Sequence, residues 1–178
     1  MNEAAFPIQR PYDLSDLSAA GYETKIEANA EDLRRIAQWS GVDAVKRFVA
    51  HVTLRPLSQT RFLFEAELEA DIVQGCVVTL DPVETHIARS LSRVLHLMPG
   101  AHRFADKGGM VTLSDPDDEG PEEIGSPRYD LAAPILEDFV LGIDRYPRAP
   151  GVAFAGPGEG AGKPESPFAV LERLKREP

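Results

Sequence analysis

The fold is decided by the stretch Phe62-Leu63-Phe64-Glu65-Ala66-Glu67-Leu68-Glu69-Ala70-Asp71-Ile72, in which apolar and mostly acidic residues alternate. A period of two is typical of a β-strand with one face buried and the other in water. Residues 45–57 alternate in the same way, and their apolar side consists of Phe48, Ala50, Val52 and Leu54. The polar turn Ser58-Gln59-Thr60 separates the two stretches, which together predict an antiparallel hairpin.

Periodic segments on either side of this hairpin predict further strands and two helices. Residues 6–17 contain two prolines and predict an edge strand or an extended lead-in, whereas residues 22–28 alternate and predict a strand. A helix over residues 30–40 is delimited by a preceding asparagine cap and a following glycine. A second helix is predicted to open at Asp130 and to end at Tyr146-Pro147, with a proline in its first turn.

The alternation is interrupted at Gly75, and the apolar run from Cys76 to Leu80 then predicts the buried end of a strand before Asp81-Pro82 turns the chain. The next segment, residues 85–98, has two interpretations. One helix face would carry Ile87, Leu91, Val94 and Met98. One strand face would carry Ile87, Leu91, Leu95 and Leu97. Periodicity alone leaves both open.

The remaining segments are short or rich in turn-forming residues. Residues 110–113 predict a short strand, and the acidic residues 114–123 predict a loop. Glycine and proline dominate residues 155–164, which predicts a flexible linker, and Ser166-Pro167 then opens a short C-terminal helix. We therefore expect one α+β domain over residues 1–149 and a linker with a short helix over residues 150–178.

Composition limits the kinds of partner. The formal net charge of -10 argues against sequence-blind coating of nucleic acid, which needs a basic face, so any RNA contact must be local and DNA is not expected. The single cysteine and the lack of a leader pattern are typical of a reducing, intracellular setting. Without an apolar run near ~20 residues, no membrane contact is expected. We expect a soluble, cytoplasmic protein.

The lone Cys76 raises the questions of metal binding and catalysis. A zinc site needs about four nitrogen or sulfur ligands, and the histidines are spread over different segments, at His51, His86, His96 and His102. We therefore expect no metal and no cofactor. A thiol nucleophile needs a positive setting and a paired base, whereas the neighbours of Cys76 are apolar, so a buried structural cysteine is favoured over a small cysteine-dependent enzyme. No catalytic residue is assigned.

Basic residues form the pattern that best suggests binding. The candidate nucleic-acid-binding residues are Arg47, Arg55, Arg89 and Arg93, two on the hairpin and two on the following segment. If they converge, they could hold RNA phosphates. The alternative is a solvated sheet face on which these arginines are interspersed with acids.

Three landmarks of the sequence occur in a family order: Cys76 to Val83, Tyr129-Asp130-Leu131 with its helix, and Ser166 to Lys175. In these the chain resembles the YceD family, the large ribosomal RNA subunit accumulation proteins. The family commonly has a Cys-x-x-Cys-Leu-x-Pro-Val box, and Thr79 stands where its second cysteine would fall. The resemblance therefore implies a branch without metal.

The resemblance also implies a strand at residues 85–98 and, with the patterns above, a curved, barrel-like antiparallel sheet covered by two helices. The implied function is a non-catalytic accessory role in the synthesis, processing or stability of large-subunit (23S) ribosomal RNA, with that RNA or a pre-ribosomal particle as partner. The alternative is a protein adaptor, with a ribosomal protein as one candidate partner, which docks through the apolar side chains Phe168, Leu171 and Leu174.

Overall fold

The computed structural model describes residues 6–98 and 120–152. Its elements in chain order are β1 (Pro11–Asp13), a 3-10 turn (Leu14–Asp16), β2 (Tyr22–Glu27), α1 (Ala30–Ser40), β3 (Ala44–Pro56), β4 (Arg61–Gly75), β5 (Pro82–Leu97), β6 (Glu122–Ile124), β7 (Arg128–Asp130) and α2 (Ala132–Gly142). This is an α+β fold.

The main sheet has five strands in the order β2-β3-β4-β5-β6, and β1 pairs with β7 in a separate two-stranded sheet. All pairs are antiparallel except β5 with β6, which is parallel. The prediction of an antiparallel sheet is therefore correct for four of its five strands. Among the described residues, the sheet ends in β2 on one side and β6 on the other, so the expected barrel-like closure is not confirmed.

The predicted hairpin is formed by β3 and β4, the second and third of the five strands. Its register places Phe48 opposite Ala70 and Leu54 opposite Phe64, so the apolar sets of both strands share one face. A bulge between Val45 and Arg47 offsets the start of β3. Because every second residue points the same way, the acids of β4 lie together on the other face.

Residues 85–97 lie in a strand rather than a helix, because β5 pairs with β4 from Pro82 to His96. Ile87 lies opposite Ala70 and Leu95 opposite Phe62, which places both in the core. Two arginines, Arg89 and Arg93, occupy the positions between these apolar residues on the same face. Their presence weakens the alternation and explains why the sequence pattern fits both structures.

Both helices pack on the apolar face of the sheet and complete one hydrophobic core. Helix α1 contributes Ile36, which is fully buried. Helix α2 contributes Phe139, whose ring meets that of Phe48 edge to face with 5.4 Å between the ring centroids. The prediction of a sheet covered by two helices is confirmed.

The ends of α1 are fixed by local hydrogen bonds, which is why the sequence predicts them correctly. The Oδ1 atom of Asn29 accepts the N–H groups of Glu31 and Asp32 at 2.8 and 3.0 Å, and the Asp32 carboxylate accepts the N–H of Asn29 in return. Gly41 ends the helix with a φ of 76°, a left-handed conformation that suits glycine.

Helix α2 is shorter than predicted at both ends: it begins at Ala132, because Asp130 lies in β7, and it ends at Gly142, four residues before Tyr146. The Asp130 carboxylate accepts the N–H of Ala132 at 3.0 Å and that of Arg10 at 2.7 Å. It therefore links the first residue of the helix to the amino-terminal segment, although the N-cap residue itself, Leu131, makes no side-chain hydrogen bond. No helix in the described ranges is both long and apolar enough to cross a membrane.

Two local predictions are wrong. Cys76 to Leu80 is a turn between β4 and β5. The N–H of Leu80 donates to the Cys76 carbonyl, and the N–H of Cys76 donates to the Asp81 carbonyl. Only Cys76 of this run is buried. Glu122 and Glu123, predicted as loop, lie in β6. The predicted strand at 110–113, the rest of the acidic loop up to residue 119, and the linker and helix beyond residue 152, with Phe168, Leu171 and Leu174, lie outside the described residues.

Candidate nucleic-acid interface

The four predicted arginines lie on opposite faces of the sheet. Arg47 and Arg55 lie on the face turned away from the helices, which we call the open face. Arg89 lies opposite Leu68 and Arg93 opposite Phe64, so both lie on the face that the helices cover. The structure therefore does not bring these arginines together, and they do not form the single cluster that the sequence suggested.

Arg89 is committed to α2. Its Nε and Nη2 atoms donate to the two carboxylate oxygens of Asp138 at 3.1 and 2.9 Å, a bidentate pair. Only 12% of the Asp138 side chain is exposed, against 43% of that of Arg89. These hydrogen bonds raise the pKa of the Arg89 guanidinium above its ordinary value. The pair holds the helix to the sheet and occupies one of the two bidentate edges of this guanidinium, the edge formed by Nε and Nη2.

Arg93 is committed in the same way. Its Nη2 atom donates to Glu137 of α2 at 3.0 Å, and its Nη1 atom donates to Glu122 of β6 at 3.5 Å. The hydroxyl of Tyr129 donates to the same Glu122 carboxylate at 3.4 Å, and burial raises the pKa of this tyrosine. These hydrogen bonds join β5, β6, β7 and α2, so Arg93 stabilises the packing of these four elements.

The open face is predominantly acidic, because four outward positions of β4 in a row are acids: Glu65, Glu67, Glu69 and Asp71. Arg47 forms an ion pair with Glu69 at 2.8 Å, which neutralises its charge. The Nδ1 atom of His86 lies 2.7 Å from an oxygen of Asp71. Most of this face therefore repels phosphate.

One corner of the open face is basic. Arg61, the first residue of β4, pairs directly with His96 of β5, and Arg55 pairs with Leu63, the next outward position along β4. Within the described ranges, neither Arg55 nor Arg61 has a carboxylate within ion-pair distance. We call Arg55, Arg61 and His96 the basic corner.

The turn between β3 and β4 holds the basic corner in place. The N–H groups of Leu57 and Ser58 both donate to the Arg61 carbonyl, at 2.8 and 3.1 Å, and the Ser58 hydroxyl accepts the N–H of Arg61 at 3.1 Å. The N–H of Leu97 donates to the Thr60 carbonyl at 2.7 Å, which fixes the end of β5 beside the turn. Three strand ends are thus held together around the two arginines.

Arg61 and His96 are the candidate residues that the sequence interpretation missed. Arg61 immediately follows the predicted polar turn and lies two residues before Leu63, the partner of Arg55, so its place diagonally beside Arg55 could have been read from the hairpin register. His96 needs the register of β5 against β4, which the ambiguous pattern of residues 85–98 did not provide.

A shallow groove of about 480 Å³ extends from the basic corner along the open face. Its lining is polar and includes Thr53 and Arg55 from β3, Glu65 and Glu67 from β4, and the small side chains Ser90 and Ser92 from β5. Short side chains on β5 beside longer ones on β4 leave the depression. Arg55 marks its basic end.

Cys76 is fully buried in the turn between β4 and β5. Its Sγ atom accepts the N–H of Val78 at 3.5 Å and that of Ala149 at 3.4 Å. Hydrogen bonding from the Thr79 side chain, and then from the backbone N–H groups of Ala149, Thr79 and Val78, lowers the pKa of the thiol to about 6. The sulfur thus joins the turn to the segment after α2, and it is not exposed in a cleft as a nucleophile would be.

Among the residues that the structure describes, no group of three or more His, Cys, Asp and Glu side chains is arranged to hold a metal ion. No protein-family model matches the sequence, and no curated protein or solved structure matches it either. The resemblance to the YceD family therefore rests on the sequence landmarks.

Proposed function

We propose that the protein is a non-catalytic accessory factor in the synthesis, processing or stability of large-subunit ribosomal RNA. In this proposal it acts in the cytoplasm by binding the RNA or a pre-ribosomal particle at the basic corner. The supporting observation is that Arg55 and Arg61, without ion pairs in the described part of the chain, flank one end of an otherwise acidic face. The sequence landmarks that resemble the YceD family supply the identity of the RNA.

The chemistry of the basic corner fits phosphate. A guanidinium can donate two parallel hydrogen bonds to one phosphate group, and a histidine beside it adds a further donor. Arg55 and Arg61 are both exposed, so neither loses a structural partner when it binds. By contrast, the charge of Arg89 is already matched by the carboxylate of Asp138, to which it donates two hydrogen bonds.

The surrounding charge limits how the RNA can approach. With a formal net charge of -10, the long-range field opposes binding, and the acids of β4 oppose any RNA that lies across the open face. Only a short stretch of backbone at the corner is attracted. Recognition is therefore expected to depend on RNA shape, as it does where proteins read loops and backbone.

Salt dependence of binding tests this proposal. Affinity for a folded fragment of large-subunit ribosomal RNA should fall with salt, with a slope that reflects the two or so phosphates held at the corner. Each of Arg55→Ala and Arg61→Ala should flatten the slope of log affinity against log salt by about 0.7–0.9. The double variant should also reduce accumulation of this RNA in cells.

Arg47→Ala is the matched control, because Arg47 lies on the same face but is paired with Glu69. It should leave the salt slope unchanged. If the double variant at Arg55 and Arg61 is folded and binds the fragment with wild-type affinity and slope, the basic corner is not the RNA site. Equal effects of all three substitutions would indicate a general charge effect instead.

A further inference from the structure

Exposed apolar side chains are concentrated at one end of the molecule. Seven large apolar residues are exposed in the described part of the chain, and five of them lie in two short segments. Val77 and Leu80 belong to the turn between β4 and β5, while Val140, Leu141 and Tyr146 belong to the end of α2 and the residues after it. We call these five the end patch.

Direct hydrogen bonds hold the two segments next to each other. The N–H of Val77 donates to the Pro147 carbonyl at 2.9 Å, and the N–H of Ala149 donates to the Cys76 sulfur at 3.4 Å. The side-chain amide of Gln74 donates to the Asp144 carbonyl at 2.9 Å. The exposed side chains therefore project from a fixed framework.

Leu80 differs from the other members of the end patch in its backbone conformation and its high exposure. It is the one non-glycine residue of the described chain with a positive φ, 65°, and 82% of its surface is exposed. Glycine or asparagine would adopt this left-handed conformation at less steric cost. Together with the other exposed apolar side chains of the end patch, Leu80 forms the kind of surface at which another apolar group binds.

We propose that the end patch is the docking site of the chain's own segment 166–175. If helical, this segment carries Phe168, Leu171 and Leu174 in one apolar stripe, and a helix of about ten residues is not stable alone in water. It therefore needs an apolar surface. This inference is independent of the RNA-binding proposal, since the end patch shares no residue with the basic corner.

The length of the intervening chain favours the chain's own segment over a second molecule. Residues 153–165 follow directly after Val152. Val152 lies three positions after Ala149, whose N–H donates to the Cys76 sulfur. A glycine-rich linker of this length spans about 20 Å on average. Such a tether gives an effective concentration of about 1 mM, so a contact with an untethered Kd of about 0.1 mM would be about 90% formed.

Hydrogen exchange on the full chain tests the docking. Amides of residues 168–174 should exchange about tenfold more slowly than in the isolated peptide of the same sequence, in line with that occupancy. The variant with Leu80→Asn and Leu141→Gln should lose this protection. Asparagine suits the left-handed backbone at position 80 and glutamine suits a helix, so both changes preserve the local fold. Leu57→Asn, at an exposed apolar residue outside the patch, is the control and should have no effect.

Crosslinking identifies the occupant. A photoreactive benzophenone side chain in place of Leu171 in the full chain should give a product of monomer mass, with crosslinks to residues 77–80 and 140–146. Crosslinks between two chains, to another region of the same chain, or to another protein in cells would each overturn the proposal. So would exchange of residues 168–174 at the rate of the free peptide in the wild-type protein.

Discussion

Removal of the Arg89 guanidinium is expected to destabilise the fold, although sequence reasoning assigned this residue to RNA. The perturbation is Arg89→Ala, which deletes both hydrogen bonds to Asp138. The carboxylate of Asp138, of whose side chain only 12% is exposed while Arg89 is present, is then left without a cation beside it. A charge left in this position loses its main compensation for desolvation.

The size of the stability loss in Arg89→Ala follows from the burial of Arg89 and Asp138. Leaving one partner of a fully buried ion pair unmatched costs about 3–5 kcal/mol, and a hydrogen bond to a charged group contributes about 1.5–3 kcal/mol. Here water can reach the vacated site, because 43% of the Arg89 side chain is exposed. We therefore expect the unpaired Asp138 carboxylate to cost about 1.5–3 kcal/mol, or a fall in Tm of about 3–12 °C.

Urea unfolding followed by circular dichroism measures this cost, with Arg47→Ala as the matched control. The Arg47–Glu69 pair is exposed on both sides, at 47% and 53%, so its loss should cost at most about 1 kcal/mol. Replacing both Arg89 and Asp138 by leucine should recover much of the stability, since apolar residues suit this position. If Arg89→Ala and Arg47→Ala differ by less than about 0.5 kcal/mol, the structural role argued for Arg89 is wrong.

Two further predictions concern the turn at Cys76 and the start of α1. Because the folded thiol has a pKa of about 6 and an unfolded thiol one of about 8.5, the unfolded chain binds a proton between these values that the folded chain does not. The free energy of unfolding should therefore rise with pH across this window, and this contribution should be lost as pH falls through 6. In urea titrations at several pH values, Cys76→Ser should flatten the rise. If the pH dependence of the variant equals that of the wild type, Cys76 is not a thiolate in the folded chain. Asn29→Ala should lower the free energy of unfolding by about 1 kcal/mol, whereas Asn29→Asp should preserve it, and equal losses would show that the cap contributes nothing.

The elements that the sequence predicts well are those whose signals are local. The central hairpin follows from alternation over two long stretches, and α1 follows from Asn29 and Gly41. Strand β6 has no such signal, because Glu122-Glu123-Ile124 acquires its conformation only by pairing with the far end of β5. Its parallel direction likewise depends on the path of the chain outside any periodic pattern.

The candidate site was only partly predictable for the same reason. Once residues 85–98 are taken as a strand, the odd-numbered positions of Ile87 and Leu95 also assign Arg89 and Arg93 to the buried face. Arg47 lies on the opposite face, so it cannot share one phosphate site with these two arginines. The pairing of Arg61 with His96 depends on a register between strands that no single stretch of sequence determines.

The pairing of β1 with β7 has a consequence for the order in which the chain can fold. Pro11 pairs with Asp130, 119 positions later, whereas β3 and β4 are joined by a turn of a few residues. Since closing a long loop costs more entropy than closing a short one, we expect the hairpin to form early and the β1–β7 pair late. On a ribosome, β1 emerges first yet finds its partner only after most of the chain has been made. Strand β1 therefore stays unpaired until β7 has been synthesised. During that interval it is more accessible to chaperones or proteases than the hairpin, which can already have formed.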